Sequence, residues 1–170
     1  PTDTPDPTDT PEPTDTPEPT DTPAPTGTPY PDTKVKGDVW VYPEFETVTN
    51  GDTFKLDIHV HSGTESLADY IFTISYDSSF LIATDVTAGD DGFFTTESHS
   101  IPGAIFVTGE NTEGIDPGNN IHLLEITFTA IGVNYSLIKI EVVKLDNKNA
   151  EAIGPSTPYD GIGGGVTIEE

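Results

Sequence analysis

The 170-residue chain contains no cysteine, no methionine and no arginine. The lack of cysteine excludes disulfides, thiol catalysis and cysteine-ligated metal sites. The lack of arginine removes the forked side chain that is best suited to hold an anionic substrate. No apolar run is long enough to cross a membrane, and no signal peptide is recognisable. Several classes of enzyme are therefore excluded before any motif is considered.

Basic residues are also scarce, because only six lysines stand against 30 acidic residues. Eight of the acids lie in residues 1–32, so the rest of the chain carries 22 acids and a net charge of −16. Such a charge argues against nucleic acid and anionic membranes as partners. It favours a cationic partner or a divalent metal, and it serves equally well to keep a secreted domain soluble.

The first 30 residues are five copies of a hexapeptide. The first copy is Pro-Thr-Asp-Thr-Pro-Asp, and the later copies vary at the third or the sixth position. Eleven of the 16 prolines lie at or before Pro31, which blocks both helices and sheet ladders. This composition predicts an extended, semi-rigid spacer with a reach of about 90 Å. Threonine beside proline is also typical of O-glycosylated stalks of extracellular or cell-surface proteins. We therefore predict a linker over residues 1–32 and a domain over residues 33–170, and expect both to be a piece of a longer protein.

Within the domain, apolar and polar residues alternate with a period of two, which is the pattern of half-buried strands. The clearest case is residues 53–61, where Phe54, Leu56, Ile58 and Val60 share one face. No segment has the periodicity of an amphipathic helix. Nine strands are predicted, over residues 38–42, 53–61, 69–76, 81–87, 93–96, 104–108, 122–130, 137–145 and 165–169. An all-β chain of this kind predicts a sandwich of two sheets.

Five segments of the domain carry a resemblance to a known family. They are Asn-Gly-Asp-Thr at 50–53, Phe-Thr-Ile-Ser-Tyr-Asp at 72–77, residues 103–112, the apolar strand at 123–128, and residues 146–153 followed by Gly-Val-Thr-Ile at 165–168. In order and spacing they resemble segments of a cohesin module, the receptor half of the cohesin–dockerin pair, and the resemblance covers residues 39–168. The linker also fits, because cohesins are strung along scaffolding proteins on such segments.

This resemblance implies a nine-stranded jelly roll that acts as a non-catalytic recognition module. The partner would be a dockerin-bearing protein, bound to the sheet formed by predicted strands eight, three, six and five. No cofactor is implied on this chain, since calcium is expected on the dockerin instead. The implied setting is extracellular or at the cell surface, in a cellulosome-like scaffold.

Mapped onto this sequence, the binding face takes its residues from three predicted strands. They are Asp69, Ile71, Thr73 and Ser75 on the third strand, Val107 and Glu110 at the end of the sixth, and Lys139, Glu141 and Val143 on the eighth. Ile71 stands where first-type members of the family usually carry an acid or an amide. An apolar residue ringed by polar ones has the composition of an interface hot spot, although a single exposed isoleucine is also common without any function.

Two groups of residues are candidates for metal sites. His59 and His61 lie two residues apart beside Asp57, but no further zinc ligand is identifiable. The acids of the loop at 85–91 and the oxygen-rich residues 146–149 could hold calcium, although neither has the spacing of an EF-hand loop. Solvent-facing polar residues and Asx-rich turns explain these groups more simply, and we predict no metal on the domain.

A carbohydrate-binding module on a cell-surface stalk is the alternative function. Trp40 and Tyr42 alternate with Val39 and Val41, so both rings could face outward and stack against sugars. They could instead contact the proline-rich spacer, or simply be buried. Catalysis is not predicted, because carboxylate pairs arise by chance among 30 acids.

Overall fold

The computed structural model describes residues 33–90 and 96–170. The predicted linker and most of the strand predicted at 93–96 lie outside these residues. In the described part there is no helix that is long and apolar enough to cross a membrane. Its eleven strands are β1 (Val39–Tyr42), β2 (Phe45–Thr49), β3 (Thr53–Val60), β4 (Leu67–Ser75), β5 (Leu81–Ala88), β6 (Thr96–Ile101), β7 (Ala104–Ile115), β8 (Ile121–Ala130), β9 (Asn134–Asn147), β10 (Tyr159–Asp160) and β11 (Gly164–Glu169).

The strands pair into two sheets. One has the order β1-β3-β8-β5, and the other has the order β2-β11-β9-β4-β7-β6, with the short β10 paired to β9. The described pairs are antiparallel except β2 and β11, which run parallel. Two facing sheets of this connectivity confirm the predicted all-β, jelly-roll sandwich.

The core lies between the sheets and consists of the side chains that alternate inward. Tyr70, Phe72 and Ile74 of β4 are fully buried, and so are Ile126 and Phe128 of β8. Burying one such side chain contributes about 1.5–3 kcal/mol relative to exposing it. Because a slip of one residue would turn this set to solvent, the hydrophobic pattern fixes the register of each strand.

Long-range pairing changes some of the predicted strands. β2 and β10 are not predicted, and β7 continues to Ile115 where the sequence predicts a loop from Gly109 onward. The extension of β7 pairs with β4, with Glu110 opposite Asp69. Hydrogen bonding to a neighbouring strand therefore outweighs the local turn signals in this segment.

A run of glycines lets β11 pass closely between β9 and β2. A Cβ atom added to Gly163 would lie 2.3 Å from the carbonyl oxygen of Ile138, and one added to Gly164 would lie 2.3 Å from that of Glu44. Both obstacles are backbone atoms, which cannot rotate away as a side chain would. The absence of a side chain at these two glycines is therefore required for β11 to pack between β9 and β2.

The outer face of the four-stranded sheet carries a stack of aromatic and imidazole rings. Trp40 lies nearly parallel to His59 with ring centroids 5.6 Å apart, and His59 lies nearly parallel to His122 at 5.0 Å. Tyr42 meets His59 edge-on at 5.9 Å. Trp40 is only 1% exposed and His59 only 9%. Of the alternatives that the sequence left open for Trp40, burial is the one that holds, whereas the expectation that His59 faces solvent is wrong.

A β-bulge explains why His122 belongs to this stack. Ile58 pairs with Leu124, but the next residue, His59, pairs with His122, so Leu123 is an extra residue in β8. Simple alternation with Leu124 and Ile126 would place His122 on the core side of β8, but the bulge turns it to the outer face. The inserted residue reverses the two faces of the strand, and counting from the sequence cannot detect it.

Asp57 lies beside the ring stack, with its Oδ1 atom 3.5 Å from Nε2 of His122. Burial raises the pKa of the Asp57 carboxyl above its usual value, and the neighbouring His122 only partly opposes this effect. Since the carboxyl ionises more readily in the unfolded chain, ionised Asp57 disfavours the folded state at neutral pH.

We predict that Gly164→Ala lowers the free energy of unfolding by about 1–3 kcal/mol, because the new methyl group meets the Glu44 carbonyl oxygen. Urea unfolding followed by tryptophan fluorescence measures the change. Thr167→Ala, an exposed substitution on the same strand, serves as the control and should leave the midpoint nearly unchanged. Equal unfolding midpoints for both variants would contradict this prediction, because they would show that β11 can accommodate a side chain at position 164.

We predict that Asp57→Asn raises the melting temperature at pH 7, because it removes a carboxylate that is costly to ionise in the folded state. The gain should shrink as the pH falls toward 3, where the carboxyl is protonated in both states. Asp116→Asn, at an exposed position, controls for the change in net charge. A loss of stability at pH 7 would mean that the contact with His122 outweighs the effect of burial.

Candidate partner-binding face

The central strand β4 organises the outer face of the larger sheet. It is hydrogen-bonded to β7 on one side and to β9 on the other. Thr73 of β4 lies opposite Phe106 of β7 and opposite Glu141 of β9. Ser75, two residues further along β4, lies opposite Lys139. We call the outer surface of β6, β7, β4 and residues 139–147 of β9 the β4 face.

Three apolar side chains are exposed near the centre of the β4 face. Ile71 is 37% exposed, Phe106 43% and Val143 39%. They lie on β4, β7 and β9, which are three neighbouring strands, and we call them the apolar triad. A contiguous apolar surface bordered by polar groups is typical of a protein interaction site.

Val107 does not belong to this face. It is 1% exposed and lies in the core between the sheets. Its predicted outward position is wrong because Val107 and Glu110 are three residues apart, so regular alternation sends them to opposite faces. Phe106 shares the parity of Glu110 and is the residue of β7 that lies opposite Thr73.

The other eight predicted residues are exposed or half-buried and lie on outward positions of β4, β7 and β9. They are Asp69, Ile71, Thr73, Ser75, Glu110, Lys139, Glu141 and Val143. A second bulge lies in β9 opposite Ile71 and Phe72. It directs Lys144 as well as Val143 toward this surface, so the face carries a lysine that alternation does not predict.

Lys144 neutralises part of the acidic edge of the β4 face. Its ammonium group pairs with the carboxylate of Asp69 and lies 3.6 Å from that of Asp146. The hydrogen bond to Asp69 is the main reason why the pKa of Lys144 is raised. Asp69, predicted as a contact for a partner, is therefore already engaged within the chain.

The other charged groups of this face remain available. Within residues 33–90 and 96–170, no ion pair is made by Glu110, Lys139 or Glu141. Glu141 lies beside the apolar triad, opposite Thr73. The face thus has an apolar centre and a charged border, which is the usual anatomy of an interface.

The histidines that could ligate zinc do not converge. His59 is held in the ring stack, whereas His61 follows the end of β3 and its Nδ1 atom accepts a hydrogen bond of 3.0 Å from the Gly63 N–H. Among the residues that the structure describes, no group of three or more histidine, aspartate or glutamate side chains is arranged to hold a metal. Asp91 lies outside those residues.

The oxygen-rich segment at 146–149 is a turn held by its own side chains. The Asn147 side-chain oxygen accepts hydrogen bonds from the backbone N–H groups of Asn149 and Glu151, at 2.9 and 3.0 Å. Its amide nitrogen donates to the carboxylates of Glu65 and Glu151. The Asn147 side chain is therefore fully used in closing the turn, as the Asx-turn interpretation expects.

Trp40 offers no surface on which a sugar ring could stack. Ile162 forms a bridge with Trp40, and the ammonium group of Lys34 lies 5.7 Å from its ring. Tyr42 is half-buried against His59. The carbohydrate hypothesis depends on two exposed rings, and this geometry gives it no support.

Sequence reasoning missed two residues of the β4 face, Phe106 and Lys144. Phe106 could have been found from parity alone, since it alternates with the core residues Ile105 and Val107. Lys144 could not, because its position depends on the bulge in β9.

A family profile described as Cohesin domain matches residues 40–161 of this chain. No curated protein is similar enough in sequence to count as a relative. Solved structures of low sequence identity share the fold. CaCohA2 from Clostridium acetobutylicum is 17% identical with a TM-score of 0.63, over 78% of this chain and 92% of that one.

Two further structures extend the comparison. A non-cellulosomal cohesin from the archaeon Archaeoglobus fulgidus is 13% identical with a TM-score of 0.62, over 80% of this chain and 93% of that one. A chain of the Coh-OlpC–Doc435 type I cohesin–dockerin complex from Clostridium thermocellum is 14% identical with a TM-score of 0.60, over 78% of this chain and 94% of that one. The match to residues 40–161 covers most of the chain, which therefore belongs to the cohesin family.

Proposed function

We propose that this protein is a recognition module that binds a dockerin-bearing partner through the β4 face. The observation that carries the proposal is the exposed apolar triad, Ile71, Phe106 and Val143, at the centre of a charged surface. Similar structures include complexes of cohesins with dockerins. A partner that covers the triad would bury the largest exposed apolar side chains of β4 and β7, which is what a hot spot requires.

The charge of the domain adds a second property to this interface. A net charge of −16 outside residues 1–32 attracts a cationic partner from a distance and accelerates its association. Glu110 and Glu141 are free to pair with lysine or arginine of the partner, whereas Asp69 is held by Lys144. Affinity in this scheme comes mainly from the apolar triad, and orientation comes from the two glutamates.

In this proposal the module catalyses no reaction and needs no cofactor. Calcium belongs to the dockerin, not to this chain. Residues 1–32 act as a spacer that separates the recognition domain, residues 33–170, from neighbouring parts of an extracellular or cell-surface protein. The composition of the repeat supports this role, because proline-rich acidic segments remain extended.

We predict that Ile71→Asp and Phe106→Ala each weaken dockerin binding by at least about tenfold, because each removes an apolar contact at the centre of the interface. Isothermal titration calorimetry against a panel of dockerins that includes Doc435, with calcium present, measures the dissociation constants. Ile82→Asp is the matched control, since Ile82 is 47% exposed but lies on β5 in the other sheet.

Two outcomes would contradict the proposal. Failure of every dockerin in the panel to bind the wild-type domain would exclude the function. Equal loss of affinity in the Ile71, Phe106 and Ile82 variants would place the interface elsewhere or reveal a general effect on folding. Circular dichroism of each variant separates these last two possibilities.

We also predict that the association rate constant falls as salt is raised from about 0.05 to 0.5 M, because mobile ions screen the acidic surface. Glu141→Gln should lower the rate at low salt and should change it less at high salt. Stopped-flow fluorescence with a labelled dockerin provides the rates. A rate that is independent of salt would rule out electrostatic steering.

A further inference from the structure

A second exposed apolar cluster lies on the same sheet, beside the β4 face. Phe45 of β2 is 69% exposed, and Tyr135 and Leu137 of β9 are 46% and 47% exposed. Phe45 and Leu137 both pair with Gly165 of β11, one on each side of it. Because directly paired residues share a face, the three side chains cover one corner of the outer surface. We call them the corner patch.

Gly165 makes room for the Tyr135 ring in this patch. A Cβ atom added to Gly165 would lie 2.1 Å from the Tyr135 hydroxyl oxygen and 2.5 Å from the ring carbon that bears it. The ring therefore lies over bare backbone, between strands that carry Phe45 and Leu137. The patch combines a broad apolar surface with one hydroxyl group.

A groove connects the corner patch to the β4 face. It has a volume of about 600 Å³, and its lining includes Tyr135 and Leu137 of the corner patch as well as Ser75 and Lys139. Ser75 and Lys139 are also residues of the β4 face. On β9, the outward side chains of Leu137, Lys139, Glu141 and Val143 follow one another without interruption. The two surfaces are therefore continuous.

A single partner with an interface of ordinary size can cover both the β4 face and the corner patch. A footprint of about 800 Å² corresponds to a disc with a radius of about 16 Å. Leu137 is four residues from Glu141 along β9, which is about 13 Å, and β2 lies two strands beyond β9, which is about 10 Å. A footprint centred beside Glu141 therefore reaches the corner patch. The edge of an interface is normally polar, so apolar residues there indicate another buried contact rather than a rim.

We infer that the corner patch is a second anchor for the dockerin-bearing partner, an inference that rests on the proposed function. Leu137 and Val143 are six residues apart, or about 20 Å, so the two anchors on the partner come from separate segments of its chain. The segment over the corner patch presents an aliphatic or aromatic side chain. An acidic group beside it pairs with Lys139, which lies between the two anchors.

A second copy of this chain fits the corner patch less well than a cationic partner does. Both copies would carry the same net charge of −16 in residues 33–170, and like charges oppose association. A partner of opposite charge meets no such repulsion. Self-association is therefore a distinct outcome that the experiment must be able to detect.

Leu137→Ser and Gly165→Ala test the inference in the full chain with the dockerin that binds in the calorimetric panel. Leu137→Ser should weaken binding about tenfold, as expected for an anchor residue. Gly165→Ala should weaken it by a smaller factor, because the new methyl group displaces the Tyr135 ring without altering its chemistry. Ile82→Ser is the control, since Ile82 has the same 47% exposure as Leu137 on the other sheet.

The outcomes separate the inference from the proposed function. Wild-type affinity in both corner variants, together with weak binding by Ile71→Asp, would overturn the inference and leave the function intact. A wild-type domain that binds no dockerin would remove both. Sedimentation velocity that shows a dimer, dispersed by Leu137→Ser, would assign the patch to a second copy and overturn the inference as well.

Discussion

The register of β4 is the constraint on which the rest of the β4 face depends. Its inward side chains Tyr70, Phe72 and Ile74 are fully buried, and their burial determines which residues can point outward. With β7 and β9 paired on either side, β4 brings distant residues onto one surface, such as Asp69 and Lys144, which are 75 positions apart. The exposed apolar triad is therefore a consequence of the core, since Ile71 would turn inward if β4 slipped by one residue, and Phe106 would do so if β7 slipped.

The glycines at residues 163–165 impose a second constraint on the larger sheet, and this constraint is steric. β11 joins β2 to the rest of the larger sheet, and Gly163 and Gly164 let it pass within contact of two backbone carbonyl groups. The same run supplies Gly165, over which the Tyr135 ring lies. Gly163 and Gly164 thus allow β11 to pack, whereas Gly165 shapes the exposed surface by making room for the Tyr135 ring.

The sequence alone was sufficient to predict the class of fold and the inward face of the long strands. Alternation is strong where one face is buried, as in residues 53–61, and the strands predicted there agree closely with β3. It fails where pairing is decided by distant residues. The extension of β7 to Ile115 contains local turn residues, yet it forms a strand because β4 pairs with both of its ends, at Glu110 and at Ile115.

The candidate site was predictable to a similar extent, and its prediction failed in part for a related reason. Eight of the nine residues inferred from family resemblance and parity occupy the β4 face, whereas Val107 belongs to the core. That error was avoidable, because Val107 and Glu110 cannot share one face of a regular strand. The positions of His122 and Lys144 were not predictable, because each depends on a bulge that leaves no local mark in the sequence.

Charge and apolar exposure have complementary roles on this domain. An exposed phenylalanine, isoleucine and valine on adjacent strands would promote aggregation on a neutral protein. A net charge of −16 in residues 33–170 opposes contact between copies, and the same charge would attract the cationic partner of the proposed function. Lys144 refines this balance by neutralising Asp69 at the edge and leaving Glu141 free beside the triad. In the proposed function, a partner would therefore be selected by two independent properties, an apolar group that covers the triad and a positive charge that favours its approach.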